Sequence, residues 1–67
     1  MKLQINVNGA WRDVAEFHAN QLVDVQDATL ALGKALQRGK FRIIGGAARS
    51  PEVMGYLEAP YRIWEAA

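Results

Sequence analysis

The chain opens on a strict alternation. Leu3, Ile5 and Val7 are apolar, and Lys2, Gln4 and Asn6 between them are polar. A period of two is the pattern of a strand with one buried face, so Lys2–Val7 reads as a strand. Asn8-Gly9 follows, and both residues tolerate the positive φ that tight hairpin loops demand. A second strand over about Ala10–Phe17, led by Trp11, completes a hairpin. Two registers compete. A two-residue loop pairs Val7 with Ala10 and puts Arg12 and Val14 on the face of Leu3, Ile5 and Val7. A three-residue loop (Val7, Asn8, Gly9) pairs Ile5 with Trp11 and brings Trp11, Ala15 and Phe17 to that face instead. A one-residue slip inverts every side chain, so burial decides. Trp11 and Phe17 carry the larger apolar area, which favours the three-residue loop.

Beyond His18 the period changes to that of a helix. Val25, Ala28, Leu32, Ala35 and Leu36 form one stripe, with Asp24 placed as an N-cap and Asp27 in the first turn. Lys34 and Arg38 fall where the negative end of the helix dipole favours cations, and Gly39 suits the residue after the last turn. The helix is expected over about Asp24–Arg38. Leu30 lies off the stripe and Gly33 interrupts it. Gly33 costs about 1 kcal/mol relative to alanine; close approach of another element is one reason to keep it, and a partner helix is another. A third strand follows at Lys40–Ile44, then a Gly- and Pro-bearing loop at 45–52. A fourth strand spans about Val53–Ala59, and Tyr61–Glu65 reads as its bent extension past Pro60.

The order ββαββ implies a single α+β domain over residues 1–67. It is a two-layer sandwich with one mostly antiparallel four-stranded sheet and a helix on one face. A right-handed crossover gives the spatial order 2-1-3-4. The helix covers one sheet face only. The other is expected to carry Lys2, Gln4, Asn6, Arg12, Arg42, Ile44, Met54, Tyr56 and Glu58, with Ile44, Met54 and Tyr56 forming a patch.

Composition narrows the function classes. Sixty-seven residues without cysteine must be held by packing alone, and so small a domain has a thin core. No disulfide or thiolate metal site is available, and one histidine makes a transition-metal site a poor expectation. No cofactor is implied. The N-terminus enters a strand directly without an apolar leader, and no apolar run is long enough to cross a bilayer, so a cytoplasmic, membrane-free protein is expected. The net charge is +1, but it is unevenly distributed: Asp13–Asp27 holds four acids, and Lys34–Arg49 holds five bases without an acid.

The candidate chemistry is sparse. His18 has no serine or cysteine nucleophile arranged around it, so no catalytic residue is assigned. Capping accounts for Asp24 and Asp27. The segment Gly45-Gly46-Ala47-Ala48-Arg49-Ser50 has the small residues of an anion cradle, but it lacks the Gly-Lys-Ser/Thr ending of a P-loop and reads better as a hairpin loop. Two surfaces remain. Arg42, Ile44, Met54, Tyr56, Trp64 and Leu30 are the candidate protein contacts, Trp64 because it stands near the terminus and Leu30 because it leaves the helix stripe. Lys34, Arg38, Lys40 and Arg49, with neighbouring aromatics, are the candidate anion or nucleic-acid contacts.

The first expectation is therefore a non-catalytic protein-binding module. It would act as a homo-oligomer or dimer, an adaptor, or a small inhibitor of the type encoded by phages and mobile elements. Anti-CRISPR and other anti-defence proteins exemplify that class, and no motif here identifies one. The alternative is nucleic-acid binding through the basic block 34–49, against which the calculated pI of 8.2 and the acidic stretch weigh.

Overall fold

The computed structural model describes residues 1–47 and 50–67. Among them the chain forms β1 (Lys2–Val7), β2 (Ala10–Glu16), a single 3₁₀ turn (Ala19–Gln21), α1 (Leu22–Leu36), β3 (Lys40–Ala47), β4 (Ser50–Leu57) and β5 (Glu65–Ala66). The architecture is α+β, with one antiparallel sheet in the order β2-β1-β3-β4-β5. The expected order 2-1-3-4 stands within it, and the sheet has a fifth strand where four were expected. Tyr61–Glu65 is not an extension of β4. The chain reverses after the cis Ala59–Pro60 bond, with Tyr61 at φ 60° and its N–H donating to the Glu58 carbonyl at 2.9 Å. It then returns so that Glu65 pairs with Tyr56 and Ala66 with Gly55.

The first hairpin takes the two-residue loop, not the three-residue one. Val7 pairs with Ala10, Asn6 with Trp11 and Ile5 with Arg12. Asn8 and Gly9 both have positive φ, 67° and 87°, the pairing of a type I′ turn. Direct cross-strand partners share a face. Trp11 therefore joins Asn6 on the outer face, and Arg12, expected there, joins Ile5 on the helix side. The burial of Phe17, which favoured the other register, is achieved differently. Gln4 pairs with Asp13 but Leu3 with Ala15, so Val14 is an extra residue. This bulge resets the alternation and returns Ala15 and Phe17 to the helix side, where Phe17 packs on the core and exchanges backbone hydrogen bonds with Met1.

The second hairpin extends further than expected. Gly45, Gly46 and Ala47 pair with Glu52, Pro51 and Ser50, so most of the expected loop 45–52 is ladder. Between Ile43↔Gly55 and Ile44↔Val53 the register slips again, leaving Met54 as the extra residue.

The core is Leu3, Phe41, Ile43, Leu57 and Tyr61, all 5% exposed or less, between the sheet and α1. Thr29 and Gly33 are the buried residues of the helix, with Leu22, Val25 and Leu30 packed against the core. The Thr29 hydroxyl donates to the Val25 carbonyl at 2.7 Å, which satisfies it inside the helix. The helix is thus rotated from the stripe the sequence suggests. Leu32 and Leu36 are 39% and 46% exposed, while Leu30, expected to await a partner, faces inward. The cause is Tyr61. Its ring lies on Gly33 so closely that a Cβ there would come within 2.5 Å of Tyr61 Cδ1. Its hydroxyl donates to the Gly39 carbonyl at 2.6 Å, and its ring meets Phe41 edge-on at 6.4 Å. Only the glycine side of the helix admits this ring, so that side must face the sheet.

The helix ends also differ from expectation. Asp24 sits within the first turn and is not the N-cap. The chain enters through the 3₁₀ turn, where the His18 N–H donates to Gln21 Oε1 at 3.0 Å. At the other end Gln37, not Gly39, takes the left-handed cap conformation, at φ 55° with its N–H on the Gly33 carbonyl.

Candidate functional site

The outer sheet face is not covered by the returning C-terminal segment. Tyr61 and Trp64 pass on the helix side, and β5 lengthens the sheet at its edge. By register this face presents Lys2, Gln4 and Asn6 from β1, with Trp11, Asp13 and Glu16 from β2. Lys40, Arg42 and Ile44 come from β3, Val53, Tyr56 and Glu58 from β4, and Glu65 from β5.

These side chains are already assembled. The Arg42 guanidinium lies over the Trp11 ring at 4.0 Å, a cation–π geometry, and its Nε–H donates to Gln4 Oε1 at 2.9 Å. The amide of Gln4 donates in turn to Asp13 Oδ1 at 2.7 Å. Lys2 lies 3.5 Å from Asp13 and 3.8 Å from Glu16. The hydrogen bond from Gln4, then the charge of Lys2, hold the Asp13 carboxyl below its ordinary range. On the other side of Arg42, its direct partner Tyr56 takes Lys40 over its ring at 4.7 Å, and Lys40 reaches Glu58 at 3.7 Å. The result is a strip of Trp11, Arg42, Tyr56 and Ile44, all half-buried by their neighbours alone. Salt-linked polar groups surround it.

The two bulges shape one end of this face. The Leu3/Gln4 step of β1 and the Ile43/Ile44 step of β3 are adjacent, because Leu3 pairs with Ile43, so the two bulges flank that one cross-strand pair, one on each side. Bulges bend their strands, and two so close together curve the sheet. At that end lies an open groove of about 750 Å³, with Ile44, Lys2 and Gln4 beside Glu16, His18 and Pro51.

The candidate contacts divide accordingly. Arg42, Ile44 and Tyr56 share the outer face, as expected. Met54 does not continue their row, because it is the bulged residue and its side chain lies against Gly45. Trp64, a candidate contact because it stands near the terminus, is half-buried on the helix side, its indole N–H donating to the Gln26 carbonyl at 3.0 Å. Leu30 is likewise inside the helix layer. Of the four candidate anion contacts, Arg49 lies outside the described residues. Lys34 projects from the helix layer, Arg38 follows the helix, and Lys40 is on the opposite sheet face over Tyr56. Trp11 and Gln4 are the members that sequence reasoning missed as contacts. The Asn8-Gly9 dipeptide held the signal, since its commonest loop puts Trp11 outward.

Among the described residues no group of three or more histidines and carboxylates is placed to hold a metal ion, and no helix is long and apolar enough to cross a membrane. No protein-family model, curated protein or solved structure gives a significant match to this chain.

Proposed function

We propose that this chain is a non-catalytic protein-binding module that docks a protein partner on its outer sheet face. The observation that supports this most directly is the strip of Trp11, Arg42, Tyr56 and Ile44, assembled and uncovered. Trp, Tyr and Arg dominate the energetics of protein interfaces, and rings held in place before contact lose little entropy on binding. The face carries three cations (Lys2, Lys40, Arg42) and four carboxylates (Asp13, Glu16, Glu58, Glu65). Such a mixed rim suits a partner of mixed charge, with an apolar group for the strip and a carboxylate for Arg42. Adaptor and inhibitor roles both operate this way, by occupying a surface.

The test compares affinity captures by the wild-type chain, Trp11→Ser and Arg42→Glu, followed by calorimetry with the purified partner. A partner of this face is lost from both variants, with affinity falling at least about 30-fold, the scale of a central interface residue. A partner that both variants retain refutes the reading.

Nucleic-acid binding is the second reading, and the two rings on an open sheet favour it. Against it stand the carboxylates of the same face, with Lys40 paired to one and Lys2 to two. Fluorescence anisotropy with a labelled oligonucleotide separates the two readings. Stacking with phosphate contacts would give an affinity falling steeply with salt, whereas the protein-binding reading expects no binding at physiological salt.

A further inference from the structure

The rotation of α1 leaves its outer side with a pattern of its own. Asp24, Ala28, Ala31 and Ala35 are spaced four, three and four apart and are all exposed. That spacing is the seam of a helix pair, with two inward positions per seven residues. Asp27 and Lys34 flank the seam on one side, and Val25 and the 39%-exposed Leu32 flank it on the other. A seam of alanines admits a second helix at close range, and Leu32 adds apolar area at the margin.

The charges specify which helix fits. In a pair of antiparallel helices related by a two-fold axis, each flank meets the same flank of the other copy. With the axis passing close to Ala31, Asp27 stands opposite the partner's Lys34, and Lys34 opposite the partner's Asp27. On the other flank Leu32 meets the partner's Leu32. The acidic end of the face, at Asp24, comes to the basic end beyond Lys34, where Arg38 follows. A parallel pair would instead set the Asp27 and Lys34 flank against the partner's Val25 and Leu32, where no opposite charge answers it. We infer that the chain forms a two-fold homodimer through the outer side of α1, with the helices antiparallel. This surface is on the layer opposite the outer sheet face, so the inference stands apart from the docking site proposed there. A stable standard interface covers about 800 Å² per partner, and this helix face alone is smaller, so the dimer is weak, on the order of tens of micromolar.

Sedimentation equilibrium on the full chain, from about 5 µM to about 500 µM, spans that affinity. The wild type is expected to pass reversibly from monomer to dimer. Ala31→Glu, near the axis, sets two like charges together and is expected to leave only monomer, with unchanged helical circular dichroism. Asp27→Lys and Lys34→Glu each turn two attractions into repulsions and are expected to weaken self-association about tenfold. Mixed in equal amounts, these two variants restore every pairing, and a heterodimer is expected where neither alone dimerises. Arg42→Glu, on the sheet face, is expected to change nothing. The inference is overturned if the wild type stays monomeric across the range, if Ala31→Glu still dimerises, or if the mixture forms no heterodimer. Loss of the dimer in Arg42→Glu would move self-association to the sheet face and overturn it equally.

Discussion

Replacing Gly33 by alanine sets two effects of opposite sign against each other. Glycine in mid-helix costs about 1 kcal/mol relative to alanine, so propensity alone makes Gly33→Ala stabilising by about that amount. The new methyl, however, would stand 2.5 Å from Tyr61 Cδ1 and 2.8 Å from Cγ. Those are ring atoms near the root of the side chain, not the far end of a flexible one. The ring cannot slide freely, because its hydroxyl is tied to Gly39 and its edge to Phe41, and Tyr61 is only 1% exposed. Forcing a methyl into such packing costs about 1–3 kcal/mol, and about 1 kcal/mol more if the hydroxyl bond is lost. The net expectation is destabilisation by about 1–2 kcal/mol, a large fraction of the roughly 3–5 kcal/mol a domain of this size commands. Urea unfolding followed by circular dichroism measures it. The same substitution in a Tyr61→Leu background completes the cycle: with the ring gone, Gly33→Ala should be neutral or stabilising, and the difference isolates the contact. A Gly33→Ala variant more stable than wild type would refute the account of why the helix faces the sheet as it does.

Three further outcomes are expected. Gly9→Ala should cost about 1 kcal/mol in the same urea assay, purely through backbone conformation, because Gly9 sits at φ 87° with no atom within 4 Å of an added Cβ. Trp64→Phe should cost about 1 kcal/mol by losing the indole hydrogen bond to the Gln26 carbonyl, and Trp64→Leu about the same or more; no loss in either would mean that the returning segment is not anchored there. The Asp13 carboxyl, followed by NMR, should titrate below its ordinary range in the wild type and move upward in Gln4→Ala, because the hydrogen bond from Gln4 is the largest cause of its depression. A depressed native pKa means that the unfolded chain binds the proton more readily. The stabilising contribution of Asp13 is therefore present above the unfolded value and is lost as pH falls through the native one.

Local signals in the sequence were reliable where one force acts alone. The alternation of Leu3, Ile5 and Val7 and the Asn8-Gly9 turn locate the first hairpin, and the order of periodic segments yields the α+β layout. They misled where two forces compete. Strict alternation allows Trp11 and Phe17 only to be buried together or not at all. The bulge at Val14 lets the chain expose Trp11 and bury Phe17, and no period-two rule anticipates an extra residue. The fifth strand was hidden for another reason. Two residues, Glu65 and Ala66, carry no β signal, and they pair only because Pro60 and Tyr61 turn the chain back. On the outer face, Arg42, Ile44 and Tyr56 were legible from alternation in β3 and β4. Trp11 was not, because its place depends on the loop register.

The helix shows most clearly how one distant contact redistributes surface. A helical stripe of Val25, Ala28, Leu32, Ala35 and Leu36 is a sound reading of α1 in isolation, since the larger aliphatic side chains normally seek the core. Tyr61 brings more buried area than either leucine and needs a site without a Cβ, which α1 offers at Gly33 alone. Seating that ring turns the Gly33 side inward, draws Leu30 and Thr29 with it, and turns Leu32, Leu36 and the alanine seam outward. The Tyr61–Gly33 contact therefore sets the core and creates the outward helix face together. It also carries the C-terminal chain over the helix side, which leaves Trp11, Arg42 and Tyr56 uncovered on the other. If the Tyr61–Gly33 contact is what orients α1, a Tyr61→Leu variant that remains folded should lose the preference for this azimuth. Its leucines at 32 and 36 should then become more protected from solvent, as side-chain methyl NMR with a soluble paramagnetic probe would register. Unchanged exposure of both leucines in that variant would show that the helix orientation is set elsewhere.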